Sequence, residues 1–270
     1  MAEHTLYQVD AFAERLFTGN PAAVMILDAF PPDETMQALA QENNLAETAF
    51  AVPTADGFDL RWFTPAAEVP FCGHATLATA HVLFAEEGYA KDAIAFRTRA
   101  VGTLTVARAG AGYALDGPAT PIRPIQTPEQ LAEGLGTRPE AVFAGQYLMA
   151  VLPDEASVRA LTPNMLTLAE VRAPGGGGLD ASCVCVTAPG TRHDFVSRFF
   201  GPTVGITEDP VTGSAHCMMA PYWAARLGRS ELSAFQASPR GGEVGCTVKG
   251  DRVRLEGGCI TYLKGRVRLG

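Results

Sequence analysis

Long apolar runs are missing from this 270-residue chain. No stretch of 18 apolar residues occurs, so no membrane-spanning helix is expected. The opening Met1-Ala2-Glu3-His4-Thr5 also lacks a basic n-region and an apolar h-region, and the expectation is a soluble, cytoplasmic protein. A basic excess is missing too. At a net charge of −8, neither nucleic acid nor an anionic membrane is an expected partner, although a local basic patch could still hold a small anion. Cysteine is sparse: Cys72, Cys183, Cys185, Cys217, Cys246 and Cys259 are dispersed, which is the usage of reduced, buried thiols and not of a disulfide framework. There is no phosphate loop and no G-x-G-x-x-G behind a strand, so no nucleotide cofactor is expected. Zinc-type residues do occur at Cys72, His74, His81, His216 and Cys217, but no pair stands at ligand spacing, and Cys183 and Cys185 lack a second pair; no metal is expected. What remains is an ordinary globular composition, 47% hydrophobic and 19% charged, enough for one large domain or two of usual size.

One short pattern occurs twice. Glu68-Val69-Pro70-Phe71-Cys72-Gly73-His74-Ala75 returns 140 residues later as Glu208-Asp209-Pro210-Val211-Thr212-Gly213-Ser214-Ala215. Both copies read E-x-P-x-x-G-[HS]-A, and both run into an apolar, Ala-rich stretch that reads as a helix. Each glycine therefore delivers a helix N-terminus, whose unpaired N–H groups and partial positive charge favour an anion. A duplicated chain holding a small carboxylate is the reading.

Along the chain, Leu6 to Phe12 and Ala22 to Leu27 read as strands around the turn Thr18-Gly19-Asn20-Pro21. A helix starts at Pro31-Pro32-Asp33-Glu34 with Met36, Leu39 and Ala40 on one face and ends at Asn43-Asn44. Strands follow at residues 45–52 and 58–63, then the first octet, a buried helix over 75–87 stopped by Gly88, and short strands over 94–99, 103–108 and 113–116. Gly117-Pro118 with Pro121 and Pro124 reads as a linker. The second half repeats this order loosely. Thr127-Pro128-Glu129-Gln130 has capping-box spacing, residues 147–152 and 183–186 read as strands, and residues 163–169 as a helical piece. The glycine run Gly175–Gly178 reads as a flexible loop tip. A helix over 215–227, which Pro221 should kink, stops at Gly228, and three strands close the chain after a loop at 236–242. Such a pattern suits an α+β fold of two pseudo-symmetric domains, each a curved, mostly antiparallel sheet wrapped around a central helix, and not a doubly wound parallel sheet. Domains are expected at 1–117 and 118–270, with the last strand free to cross back to the first.

Within the strand Leu45-Ala46-Glu47-Thr48-Ala49-Phe50-Ala51-Val52 neither face is polar, which places the carboxylate of Glu47 on an apolar surface. Burial raises a carboxylate's pKa toward a range useful for moving protons. A structural ion pair or a cap on backbone N–H groups accounts for the same pattern. His74 and Ser214 match one another in the two octets, as ligand contacts or as helix caps. Asp209 stands where the first octet has Val69, as a functional residue or as a loop cap. Cys72 matches Thr212, so only one loop carries a thiol, which serves as nucleophile, base or packed side chain.

Asp10-Ala11-Phe12, Gly19-Asn20-Pro21, Asn44 to Phe50, Cys72-Gly73-His74-Ala75-Thr76 and Glu208 to Ala215, taken in order, resemble the phenazine-biosynthesis PhzF-like isomerase family. The resemblance implies the diaminopimelate-epimerase-like fold, an active site in the cleft of two pseudo-symmetric domains, a homodimer and no cofactor. It implies that Glu47 is the proton-transferring carboxylate and that Gly73, His74, Asp209, Gly213 and Ser214 bind a small carboxylate substrate. The founding enzyme isomerises trans-2,3-dihydro-3-hydroxyanthranilate. Racemases and epimerases of this fold use two cysteines; Cys72 resembles the first, while Val211 and Thr212 occupy the second loop. An amino-acid racemase or epimerase using Cys72, and a non-catalytic binder of small acids, are the alternatives.

Overall fold

The apolar alternation of the first hundred residues resolves into strands, the central ones packed on both faces. A computed structural model describes residues 2–172 and 182–269 and divides the chain into two units, 1–116 with 256–270, and 117–255. The glycine run Gly175–Gly178 lies outside the described residues.

In the first unit the elements are β1 (Ala2–Ala11), β2 (Asn20–Ile26), α1 (Asp33–Asn43), β3 (Glu47–Pro53), β4 (Phe58–Phe63), β5 (Glu68–Val69), α2 (Gly73–His81), β6 (Ala93–Arg97), β7 (Thr103–Ala109) and β8 (Gly112–Pro118). β2 runs antiparallel to β1 and parallel to β3; β4 is antiparallel to β3 and β5 and parallel to β6, and β7 is antiparallel to β6 and β8. α1 ends on Asn44 in the left-handed conformation, as its sequence suggested. Met36, Leu39 and Ala40 of α1 pack with Met25, Phe50 and Phe63 from one face of the sheet. α2 is buried from Gly73 through Ala80, on the other face, and contacts β1, β2 and β3. Strands covered on both faces have no polar side, which explains why β3 reads as apolar throughout. The helix expected over 75–87 starts two residues earlier, and its last turn, Val82–Glu86, widens to a π-helix before Gly88 at φ 69°.

The second unit follows with β9 (Arg123–Ile125), α3 (Glu129–Leu135), β10 (Ala141–Ala144), β11 (Leu148–Val151), α4 (Glu155–Arg159), α5 (Met165–Glu170), β12 (Val184–Pro189), β13 (Phe195–Gly201), β14 (Ile206–Asp209), α6 (Gly213–Leu227), β15 (Glu231–Gln236), β16 (Gly242–Lys249) and β17 (Arg252–Gly257). From β10 through β16 the pairings run antiparallel, parallel, antiparallel, parallel, antiparallel, the same series as β1 through β7, with β14 on β13 as β5 is on β4. Duplication is thus present in the hydrogen-bond ladders as well as in the octets. Each unit is a mostly antiparallel sheet about a central, largely buried helix, α2 or α6.

Two local expectations are corrected. The stretch taken as a linker forms the end of β8 and the strand β9, which pairs with β10. The capping box at Thr127 does not form: α3 is preceded by Pro128, which has no side chain to cap with, so Thr127 falls one residue outside the helix. Apart from these two, α6 contains Pro221 and ends on Gly228 at φ 69°, where the sequence placed its stop. Residues 256–270, the strand left free to cross back, group with the first unit, and β18 (Cys259–Leu269) pairs with the full length of β1. His81 strengthens that attachment, with Nε2 3.0 Å from Thr261 Oγ1.

Candidate active site

Successive side chains of a strand point to opposite faces, and Phe50 turns toward α1. Glu47, three residues earlier, therefore turns toward α2. His74 is the second residue of α2, and its Nε2 lies 3.0 Å from Glu47 Oε2, with side-chain exposures of 6% and 13%. Neither atom makes an aligned hydrogen bond, so the pair meets as a close charge contact. On the ring's other edge, Nδ1 lies 3.2 Å from Asn20 Nδ2 and 3.5 Å from Cys72 Sγ. An amide NH₂ can only donate, so in this arrangement Nδ1 accepts and the proton of a neutral His74 sits on Nε2, facing Glu47.

Burial pulls the His74 pKa down, but the adjacent Cys72 sulfur and the Glu47 carboxylate outweigh it, and the imidazole is held well above its ordinary value. Cys72 moves the other way for a thiol's reactivity: burial first, then the negative charge of Glu47, push it up to about 11. Glu47, Cys72 and His74 offer three metal-ligand atoms within 4.8 Å of one another. Yet the carboxylate stands against Nε2 while the thiol and amide stand against Nδ1, and a single ion uses only one nitrogen of a histidine. The imidazole thus stands between the carboxylate on one edge and the amide and thiol on the other.

The observed helix caps remove one reading of His74 and Ser214. The N-cap positions belong to Cys72 and Thr212, so His74 and Ser214 are second helical residues and cap nothing. Behind each cap stands a helix start whose first N–H groups have no partner within the helix. In the second unit Thr212 Oγ1 donates to Asp209 Oδ2, and Ser214 Oγ lies 2.8 Å from the hydroxyl of Tyr147, which accepts from Gln146 Nε2 at 2.9 Å. Gln236, fully buried, holds this turn: its Oε1 accepts from Thr212 N at 2.9 Å and its Nε2 donates to Asp209 O at 2.7 Å. Sequence reasoning passed over Asn20 as turn chemistry, Gln236 as loop, and Tyr147 as strand. Only the polarity of Gln236 among apolar strand neighbours could have signalled it.

Of the expected site residues, Glu47, Cys72, Gly73 and His74 meet in the first unit, and Asp209, Gly213 and Ser214 share one turn of the second. Strand register shows why the carboxylate is single. Phe50 pairs with Arg61, and Val186 with Arg198; three residues before each partner stand Glu47 and Cys183. The duplicate of Glu47 is thus a buried thiol. The remaining zinc-type side chains are otherwise engaged. His81 faces Tyr113 and Thr261, and His216 donates from Nδ1 to Thr212 O at 2.8 Å, its pKa lowered by burial to about 4.

Comparison with known proteins agrees with the duplicated fold. An isomerase of Pseudomonas aeruginosa described as uncharacterized is 48% identical over 99% of this chain and 100% of its own. The crystal structure of a PhzF-family phenazine biosynthesis protein from Enterococcus faecalis superposes with a TM-score of 0.94 at 43% identity, covering 99% and 100% of the two chains. A hydroxyproline epimerase from Agrobacterium vitis, solved with bound trans-4-hydroxy-L-proline, matches at a TM-score of 0.63 over 98% of this chain and 92% of its own. At 13% identity that likeness shows the fold alone. The phenazine biosynthesis-like protein family (PhzC-PhzF) matches residues 9–265, nearly the whole length, and the chain belongs to it.

Proposed function

We propose that the protein is a cofactor-independent isomerase that moves a proton between carbons of a small carboxylic acid, with Glu47 as the proton-transferring group. The observation that carries this reading is the contact of Glu47 Oε2 with His74 Nε2 at 3.0 Å, at the start of a buried helix. A carboxylate in that setting takes a proton from a carbon beside a conjugated acid and returns it elsewhere. His74 orients Glu47, and the N–H groups at Gly73 and His74 stabilise the negative charge that builds during abstraction. Asp209, Gly213 and Ser214 bind the substrate's polar groups. The similarity to proteins named isomerase supports the reaction class. The family resemblance supports a homodimer, which a sizing column tests; a cytoplasmic location is also proposed.

The test uses trans-2,3-dihydro-3-hydroxyanthranilate in deuterium oxide, followed by NMR for deuterium incorporation. General-base removal costs about 10²–10⁴ in rate, so Glu47→Gln should lose at least 99% of incorporation. Retention of more than about a tenth would overturn the assignment.

A second reading, an epimerase using Cys72, is favoured by the 3.5 Å approach of its sulfur to His74. With the thiol at about 11, roughly one molecule in ten thousand carries the thiolate at neutral pH. Cys72→Ala should therefore keep most of the activity; loss on this substitution with retention in Glu47→Gln would select the epimerase.

A further inference from the structure

Glutamate leads both octets but has no part in the chemistry above. Each is gripped by an arginine from the preceding strand. Arg61 Nε and Nη2 donate to Glu68 Oε1 and Oε2, both at 2.8 Å, and Arg198 Nε and Nη2 donate to Glu208 Oε1 and Oε2 at 2.7 and 2.8 Å. The third nitrogen is used as well. Arg61 Nη1 donates to Asp33 Oδ1 at 2.8 Å, and Arg198 Nη1 to the Leu161 carbonyl at 2.8 Å. Each guanidinium lies 5.0 Å from the ring of the phenylalanine two residues on, Phe63 or Phe200. Both arginines are buried.

The grip has one form although the connections differ: seven residues separate Arg61 from Glu68, and ten separate Arg198 from Glu208, with a 3-10 turn at Pro202–Val204. What is shared is the anchorage of the loop to the strand, not the route between them. A guanidinium fork meets both oxygens of a carboxylate and so sets its orientation as well as its distance, which an ammonium cannot do. Five residues after each glutamate come Gly73 and Gly213.

We infer that Arg61 and Arg198 are positioning residues, holding the two glycine turns in reactive geometry through Glu68 and Glu208. Arg61 sets the Glu47–His74 pair, and Arg198 sets the Asp209–Ser214 turn. The inference rests on the proton-transfer reading for its kinetic consequences only. Arg99, exposed, adds a contact to Glu68 at 3.2 Å but makes no fork.

The test compares Arg61→Lys and Arg198→Lys in the full chain, since each keeps the charge and loses the fork. Misplacing a reacting group by about 1 Å costs on the order of 10²-fold, so with the dihydroanthranilate probe Arg61→Lys should lower kcat by about ten- to a hundredfold at nearly unchanged KM. Arg198→Lys should raise KM about tenfold at nearly unchanged kcat, because uniform binding is what it loosens. A second measurement needs no substrate: the His74 imidazole, faced by Asn20, Glu47 and Cys72, is titrated by NMR. Its midpoint should fall in Arg61→Lys and stay put in Arg198→Lys. Equal losses in both variants that track the folded fraction, or a His74 midpoint unmoved in Arg61→Lys, would overturn the positioning role. If the unsubstituted protein does not exchange the probe, the proton-transfer reading fails, and the titration alone decides the role of Arg61.

Discussion

Glutamine at position 47 keeps the shape of the side chain and removes its charge, so stability should fall in a way that depends on pH. At 3.0 Å and an effective dielectric of about 20, the pair with protonated His74 attracts by about 5–6 kcal/mol before desolvation. Breaking a buried pair costs about 3–5 kcal/mol when the survivor stays charged. His74 escapes part of that by releasing its proton, because burial pulls its pKa down once the carboxylate is gone. A net loss of about 2–3 kcal/mol is expected near pH 6. His74 has its folded pKa raised above the unfolded value of about 6.5, so the stabilisation is complete below about pH 6.5 and fades as pH rises through the folded value. At a pH above that folded value the loss should shrink, because a neutral imidazole no longer attracts the carboxylate's charge. Urea unfolding of both proteins at the two pH values measures it. A deficit as large at the higher pH, or larger, would refute the coupling of Glu47 to a charged His74.

Gln236→Leu leaves the Thr212 N–H and the Asp209 carbonyl without their buried partner, and each orphaned group costs about 1–3 kcal/mol. Urea unfolding should show a loss of about 2–4 kcal/mol, with the Thr212 amide losing hydrogen-exchange protection; an unchanged amide would remove Gln236 from the turn's support. Gly19 has φ +68°, and a Cβ there would lie 2.2 Å from the Ala11 carbonyl oxygen, so Gly19→Ala should cost about 2–4 kcal/mol from left-handed strain and overpacking. A loss below about 1 kcal/mol in thermal or urea unfolding would show that the turn adapts.

Local signals were the readable part of the site. Glu47 stood out because a charged residue broke an apolar strand, and the octets stood out because a glycine introduced a helix twice. Asn44, Gly88 and Gly228 ended their helices as expected, since the left-handed residue that stops a helix depends on its own backbone freedom. The capping box failed for an equally local reason: the helix began one residue later, after a proline. Cys72 could not be judged from spacing, because the upward push on its thiol comes from burial and from the charge of Glu47, which sits 25 residues away in the chain.

By itself the sequence determined the duplication, the two helix starts, and the single carboxylate on an apolar strand, because these follow from periodicity and backbone chemistry over a few residues. Tertiary structure alone decided that His74 lies between Asn20 and Glu47, that Gln236 supports the second turn, and that an arginine grips each leading glutamate. It also decided that the last strand belongs with the first. Those pairings join groups far apart in the chain, and a hydrogen bond or ion pair is directional and close: its partners are chosen by strand register and helix placement, which no window of sequence contains.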